Sequence, residues 1–216
     1  MNSAWFKRII RASLLDPYLI GTSFAFSAVL FFVNQQANLY DIQNPNWVIT
    51  MGVLILASPI AHSLFLVRAR AVLGHGTGSL RDGIEAGAAF YPRLVLGEIG
   101  VSLAAAAGLF LLILPGVYIG IRLSLYKQAV LFDGKTVREA LQESMVRTAS
   151  WPVIGWILLV LSVIYGMEIL IGYLVYLAGA SFPTGVGIAI AIVISAAGFS
   201  LLNAFLTAVY LERGEG

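Results

Sequence analysis

Five long apolar stretches constrain what this chain can fold into more than any other feature. A transmembrane helix needs about 20 apolar residues, because each residue advances 1.5 Å and the hydrocarbon core of a bilayer is about 30 Å thick. Four of the stretches have roughly that length and one is longer. They are approximately 17–34, 47–67, 94–121, 152–176 and 185–209. We therefore expect an all-α polytopic membrane protein that forms a single membrane domain over 1–216.

The composition agrees with a membrane location. Apolar residues make up 59% of the 216 residues and charged residues 11%, whereas soluble domains carry about 25% charged residues. A folded chain of this size exposes roughly a third of the surface that its unfolded form shows, and so few charges cannot keep that surface in water. The composition therefore excludes a soluble globular protein and a disordered chain.

Two further counts exclude other classes of protein. The chain contains no cysteine, which excludes disulfides, thiolate metal sites and cysteine nucleophiles. The net charge of +2 is too small to indicate nucleic-acid binding. We therefore expect the lipid bilayer to be a partner of this chain and nucleic acid not to be.

The third apolar stretch is too long for one crossing. It contains Pro115-Gly116, a dipeptide typical of turns, and apolar residues continue beyond it to Phe132. We therefore divide it into a helix over about 94–114 and a short helix over about 117–132, which gives six spans arranged as three hairpins.

The distribution of basic residues tests this division. The predicted outer turns, 35–46, 115–116 and 177–184, contain no lysine or arginine. All 13 basic residues except Arg122 and Lys127, which lie within the fourth helix, fall in or beside the segments on the other side. Cytoplasmic loops carry an excess of Lys and Arg, so we predict six spans with both termini in the cytoplasm. A five-span division would place nearly half of these residues outside.

The N-terminal segment reads as a short helix at the membrane interface. Lys7, Arg8 and Arg11 precede the first apolar stretch, and no small-residue cleavage site follows it. The segment 1–12 also has an apolar face. That face comprises Trp5, Phe6, Ile9 and Ile10.

A six-residue pattern occurs twice between the predicted spans, at 79–84 and at 136–141. Each copy begins with a hydroxyl residue and has an acid three positions later, the pattern of a helix N-terminal cap. The pattern predicts two amphipathic helices, 79–90 and 136–149, on the cytoplasmic surface. Each carries an apolar stripe at helical spacing. The stripes are Leu80, Ile84 and Ala88, and Val137, Leu141 and Met145.

The same order of elements suggests an internal repeat. A surface helix, a proline and a helical hairpin follow one another in units of about 1–67, 79–132 and 136–209. Proline suits the first turn of a helix, because its missing N–H would be unbonded there, so we expect Pro17, Pro92 and Pro152 to open spans. The alternative is that any protein built from helical hairpins would show this order.

Small residues recur at every fourth position in two of the predicted spans. Such stripes allow close helix packing in lipid, either inside the bundle or at a dimer interface, and we favour the bundle. The stripes are Gly100, Ala104 and Gly108, and Ala196, Ser200, Ala204 and Ala208.

Four ionisable residues lie within predicted spans, namely Glu98, Arg122, Lys127 and Glu168. Each costs on the order of 2.5–3.5 kcal/mol to insert on translocon scales, so each needs a partner or a function. Depth along the helices predicts two ion pairs, Arg122 with Glu168 and Lys127 with Glu98. Both pairs involve the fourth helix, which should therefore be central or line a cavity. The charges either form structural pairs, with Lys127 reaching towards the surface, or line a polar path.

His62 is the candidate ligand for a haem or pigment, because it lies in a predicted span. The other histidine, His75, lies in a loop, so a pair of ligands is lacking, and we expect Pro59 with Ser58 and Ser63 to mark a kink instead. No catalytic motif is present. We therefore predict no catalytic residue, no metal and no cofactor.

One region resembles a known family. The stretch Leu114–Ser124, followed by Asp133-Gly134-Lys135 and by Glu139–Ser144, resembles the YciC-like family of six-span bacterial inner-membrane proteins. It is also similar to the membrane domain attached to some glycerophosphoryl diester phosphodiesterases. The resemblance implies the bacterial inner membrane and no assigned activity. The phosphodiesterase activity belongs to a separate soluble domain, for which 216 residues leave no room.

Two functions are consistent with these features. We expect a non-enzymatic accessory or scaffold subunit of a membrane complex, which docks a protein partner through 79–90 and 136–149. The alternative is a small transporter or lipid-handling protein with a polar path around the fourth helix. A cavity beside the fourth helix would favour the alternative, whereas a solidly packed fourth helix with a flat apolar outer face would favour a protein partner.

Overall fold

The structure is a computed structural model that describes residues 7, 9–10, 13–37, 46–74, 78–111, 113–178 and 184–213. Within the helices it leaves some side chains undescribed, including that of Glu168. The described part of the chain is all-helical and contains no strand. Eight helices have both ends within it. They are α1 Pro17–Ala37, α2 Asn46–Val72, α3 Leu80–Leu111, α4 Ile113–Leu123, α5 Tyr126–Asp133, α6 Val137–Arg147, α7 Trp151–Ala178 and α8 Thr184–Glu212.

The long helices pack into a bundle, and the short α5 packs against α2, α3 and α6. Helix α2 packs between α1 and α3, and α8 packs against α1, α2 and α7. Helix α4 runs along α3 but touches α7 only lightly. The eight-residue α5 is buried on nearly every side, and it turns back through Gly134 into α6. Gly134 has a φ of 64°, the left-handed conformation that favours glycine after a helix C-terminus.

Several helices are suited to a membrane. Two described stretches are by themselves long and apolar enough to cross one, Leu80–Phe110 and Ala189–Glu212. A third candidate arises if α6 and the Trp151–Met167 part of α7, which are bent by 98°, count as one broken span. The apolar part of α1, Pro17–Val29, is shorter. These helices support a membrane protein. Among the described residues they give two or three candidate spans, fewer than the six that the sequence predicts.

The prediction that Pro92 opens a span is wrong, and so is that of a separate surface helix over 79–90. Helix α3 runs without a break from Leu80 to Leu111, with Pro92 inside it. Proline removes one helical hydrogen bond, the one to the carbonyl four residues earlier. That residue, Ala88, is exposed, so its carbonyl can find another partner. The second predicted surface helix, 136–149, is present as the separate α6.

The fourth predicted helix is also divided differently. Pro115 and Gly116 lie inside α4 rather than in a turn, since proline is tolerated in the first turn of a helix. The predicted helix over 117–132 is instead broken at Ser124-Leu125, between α4 and α5. Only its second half is central. Helix α4 exposes several large apolar side chains, whereas α5 is buried.

Both predicted N-terminal caps are present. Ser79 Oγ accepts the Asp82 N–H at 3.1 Å, and the Asp82 carboxylate accepts the Ser79 N–H at 2.9 Å. Thr136 and Glu139 form the equivalent reciprocal pair at the start of α6. The apolar stripes behind the caps do not form the buried faces of their helices. Leu80, Ile84 and Met145 are exposed, because smaller residues face the bundle in α3 and α6.

Small residues pack as predicted in α8 but only partly in α3. All four residues of the α8 stripe are buried. In α3, Gly108 packs closely on the backbone of Gly116, whereas a β-carbon added at Gly100 would have nothing within 4 Å. The buried α3 glycines are Gly83, Gly87, Gly97 and Gly108. In the N-terminal segment, Ile9 is buried in the core, Ile10 is exposed, and Trp5 and Phe6 lie outside the described residues.

Gly97 provides a test of this packing. A β-carbon at position 97 would lie 2.5 Å from the Tyr126 ring, so Gly97→Ala should destabilise the fold by about 1–3 kcal/mol, as overpacking does. Gly100→Ala, on the same helix, meets nothing within 4 Å and should be neutral or stabilising. Thermal unfolding in detergent, followed by circular dichroism, measures both. Equal unfolding temperatures for the two variants would contradict the close packing of α3 on α5.

Candidate functional site

The break between α4 and α5 is held together by α6. The Leu125 N–H has left the helical pattern and donates to Ser144 Oγ at 3.0 Å. The Arg122 carbonyl accepts the Ser144 hydroxyl at 2.8 Å. The single proton of the Thr148 hydroxyl is shared between the Ser144 carbonyl at 2.6 Å and the Arg122 carbonyl at 3.1 Å. Unpaired backbone groups are costly in hydrocarbon. The Ser144 hydroxyl of α6, supported by that of Thr148 at the C-terminal cap of the helix, therefore satisfies the backbone groups that the break sets free.

The sequence of α6 explains how these hydroxyls arrive there. Ala140 and Ser144 of α6 and Thr148, its C-terminal cap, are spaced by four residues and are fully buried, so they continue one face of the helix. Side chains this small let the backbones of two helices approach closely. The spacing of Ser144 and Thr148 is the sequence signal for this contact, and the predictions from the sequence did not include it.

A cleft of about 300 Å³ lies beside the break, between α4, α7 and α8. It is located where α4 and α7 touch only lightly. Ser124 and Tyr165 supply the only hydroxyls among its lining residues, and the Ser124 hydroxyl donates to the Ile121 carbonyl at 2.8 Å. The lining residues are Val117, Gly120, Ile121, Ser124, Ile157, Leu161, Tyr165, Leu202 and Leu206. The cleft is therefore apolar.

The predicted contact between Lys127 and Glu98 is present. Lys127 Nζ lies 2.7 Å from Glu98 Oε2, and the Tyr126 hydroxyl donates to the same oxygen at 2.5 Å. The exposed fraction of the Lys127 side chain is 14% and that of Glu98 is 25%. The pair joins α3 to α5, and Lys127 points to Glu98 rather than to the surface.

The predicted pair of Arg122 and Glu168 lies outside the described residues, because the Glu168 side chain is not described. Arg122 donates to the Thr148 carbonyl at 3.1 Å, and its guanidinium lies 5.7 Å from the centre of the Tyr118 ring. Arg122, Lys127 and Glu98 are not among the residues that line the cleft. These three charges therefore do not form a polar path along it.

His62 packs in an aromatic environment. Its Nδ1 lies 2.8 Å from the Ser58 carbonyl, which accepts a hydrogen bond, so Nδ1 carries the proton. Phe26 and Phe199 lie against the ring with centroid distances of 5.9 and 5.2 Å. Helix α2 continues through Pro59. Among the described residues no group of three or more metal-binding side chains is present, and His75 lies outside them.

An ion network joins α5, α6 and α8. Glu143 lies 2.6 Å from Arg147 Nε and 3.0 Å from Lys135 Nζ. Arg147 also reaches Asp133, at 3.7 Å, and the Tyr210 carbonyl. The Tyr210 hydroxyl donates to Asp133. The hydrogen bonds from Arg147 and then Lys135 hold the pKa of Glu143 below its ordinary value.

This network gives a structural role to the sequence motif formed by 133–135 and 139–144. Asp133 and Lys135 flank the left-handed Gly134, and Glu143 immediately precedes Ser144 in α6. At the other end of α6, the Thr136 N–H lowers the pKa of Glu139 by binding its carboxylate. The motif thus fixes α6 in the position from which Ser144 reaches the helix break.

Comparison with known proteins gives no relative for this chain. No family model, no curated protein and no solved structure matches it.

The Glu98–Lys127 pair leads to a prediction about stability. Lys127→Met leaves the Glu98 carboxylate without its cation and should destabilise the fold by about 3–5 kcal/mol, the usual cost of breaking a buried pair. Adding Glu98→Gln removes the unpaired charge and should restore much of the loss. Unfolding of the two single variants and the double variant in detergent measures this coupling. Additive effects of the two substitutions would show that the pair is energetically unimportant.

Proposed function

We propose that this chain is a lipid-handling membrane protein that holds an acyl chain in the cleft between α4, α7 and α8. The sequence left open a small transporter or lipid-handling protein as the alternative function, and the proposal takes the lipid-handling one. The observation that carries it is the apolar cleft of about 300 Å³ beside the broken helix. Non-helical backbone at membrane depth is typical of places where a helix lines a cavity.

The chemistry of the cleft favours a hydrocarbon ligand over an ion. Its walls are aliphatic side chains, and its two hydroxyls come from Ser124 and Tyr165. Apolar cavities do not hold water. The neighbouring α7 residues Leu158, Leu159 and Val163 are exposed and apolar, so a bilayer would surround the cleft with lipid. An acyl chain is then the available ligand that matches the walls.

The proposal includes the six-span topology in the bacterial inner membrane, with both termini in the cytoplasm and three hairpin units. Helices α4 and α5 together serve as the fourth span. The 21 residues from Ile113 to Asp133 give roughly 30 Å of helix, enough for one crossing despite the break. The absence of basic residues from 35–46 and 177–184, two of the predicted outer turns, supports this orientation, and membership of the YciC-like family would agree with it.

The absence of cysteine makes this topology directly testable. A membrane-impermeant maleimide added to intact spheroplasts should label Asn44→Cys, which lies in a predicted outer turn. Arg138→Cys, on the exposed face of α6, should react only after the membrane is permeabilised. Labelling of both sites from the same side would contradict the six-span topology.

A glycine in the cleft wall allows the lipid proposal to be tested. Gly120 lines the cleft and has nothing within 4 Å of an added β-carbon, so Gly120→Leu should place its side chain in the space of the cleft. Gly155, in α7, is equally open but lies outside the lining, and Gly155→Leu is the matched control. Native mass spectrometry of protein extracted gently from its own membrane should show a bound lipid. Crosslinking to a diazirine-bearing palmitate measures occupancy of the cleft.

We expect lipid retention and crosslinking in the unmodified protein and in Gly155→Leu, and their loss in Gly120→Leu. Equal crosslinking in all three proteins would contradict the proposal. The native mass spectrum also tests the accessory-subunit function. A protein partner at fixed stoichiometry, without a bound lipid, would favour that function instead.

One observation favours that second function. Around the corner between α6 and α7, the exposed fractions of Met145, Val146 and Trp151 are 44%, 70% and 77%. Exposed apolar residues next to the polar face of α6 are typical of a surface that meets another protein or the bilayer. In the accessory-subunit function, this corner and the 79–90 end of α3 would form the docking face.

A further inference from the structure

We propose that α6 sets the affinity of the cleft for an acyl chain, with Ser144 and Thr148 as its positioning residues. This inference rests on the proposed lipid-handling function and adds the element that controls it. Neither hydroxyl lines the cleft. Both act through the backbone of the broken helix, whose cleft-facing residues they hold in place.

The contacts of the two hydroxyls lie directly beside the cleft wall. Ile121 and Ser124 both line the cleft. The Arg122 carbonyl, which accepts the Ser144 hydroxyl and shares that of Thr148 with the Ser144 carbonyl, follows Ile121. The Leu125 N–H, which donates to Ser144, follows Ser124. The hydrogen bonds from Ser144 and Thr148 therefore hold the turn 122–125, next to the cleft wall, at its first and last residues.

Without these bonds the backbone groups of the turn that are not paired within it would lose their partners. The Ser124 N–H already bonds to the Ile121 carbonyl at 3.2 Å, a tighter spacing than that of an α-helix. Loss of the Ser144 hydroxyl would leave the Leu125 N–H without a partner in a buried site, where such a group is costly. Local rearrangement to satisfy it would move Ile121 and Ser124, and with them the wall.

The position of α6 is itself fixed from two sides. Arg147 joins it to Asp133 of α5 and to the Tyr210 carbonyl of α8. Helix α8 also supplies Leu202 and Leu206 to the opposite wall of the cleft. One short helix is thus fastened to both walls, to α4–α5 through its hydroxyls and to α8 through its arginine.

Replacement of the hydroxyls tests this inference. Thr148→Val removes the hydroxyl and keeps the shape of the side chain, whereas Thr148→Ser keeps the hydroxyl. Ser144→Ala removes the second one. Ser200→Ala is the control, because its buried hydroxyl donates to the Ser13 carbonyl at 2.6 Å, away from the cleft lining. The concentration dependence of crosslinking to diazirine-bearing palmitate gives the affinity of each variant, and thermal unfolding gives its stability.

We expect Thr148→Val and Ser144→Ala to lower the affinity roughly two- to tenfold, the ratio that corresponds to one lost hydrogen bond. Thr148→Ser should bind like the unmodified protein, and Ser200→Ala should lose stability without losing affinity. If Ser144→Ala does not fold, the comparison of Thr148→Val with Thr148→Ser decides.

Unchanged affinity in Thr148→Val, together with loss of crosslinking in Gly120→Leu, would overturn the role of α6 and leave the lipid site standing. Unchanged crosslinking in Gly120→Leu would instead overturn the lipid site itself. An equal loss of affinity in Ser200→Ala and Thr148→Val would also overturn the inference, because the effect would then follow stability alone.

Discussion

The interrupted hydrogen-bond ladder between α4 and α5 is the constraint on which the rest of the structure depends. A helix that breaks in an apolar environment exposes backbone groups that have no solvent to bind. Ser144 and Thr148 supply the missing partners, so α6 must fold back against the break. The left-handed Gly134 and the cap formed by Thr136 and Glu139 give the chain the tight reversal that this requires. The break thereby accounts for the position of 136–149, which on its sequence alone predicts only an amphipathic surface helix.

The same break is followed by a charged residue whose side chain is mostly buried. Helix α5, which follows the break, is mostly buried, and it carries Lys127. A cation in that position needs a partner, which Glu98 provides with the help of the Tyr126 hydroxyl. The Tyr126 ring in turn needs the space that Gly97 leaves open. One departure from helical geometry therefore determines the residue types at several positions on two other helices.

Sequence reasoning located most of the helices and failed where tertiary contacts decide. The apolar stretches predicted α1, α2, α7 and α8 closely, because helix length in lipid is set by hydrophobicity alone. The contact of Lys127 with Glu98 could be predicted because a charge within a span needs a partner at a similar depth. The helix boundaries predicted from Pro92 and Pro115 were wrong, because both prolines lie inside helices that continue through them. The true break, at Ser124-Leu125, depends on hydroxyls about 20 residues further along the chain. The cleft could not be predicted, since a gap between three helices is a property of their packing and leaves no pattern in any one of them.

The ion network also has a consequence for the order in which the chain assembles during synthesis. Asp133 leaves the ribosome 77 residues before Tyr210, its hydrogen-bond donor in α8. At about 5–20 residues per second that interval lasts roughly 4–15 s. During that time the hairpin of α5 and α6 can form its own pairs, because Lys135, Glu143 and Arg147 all belong to it or to its turn. The contacts with Tyr210 come last, so the final helix to be made is the one that closes the network over a hairpin already in place.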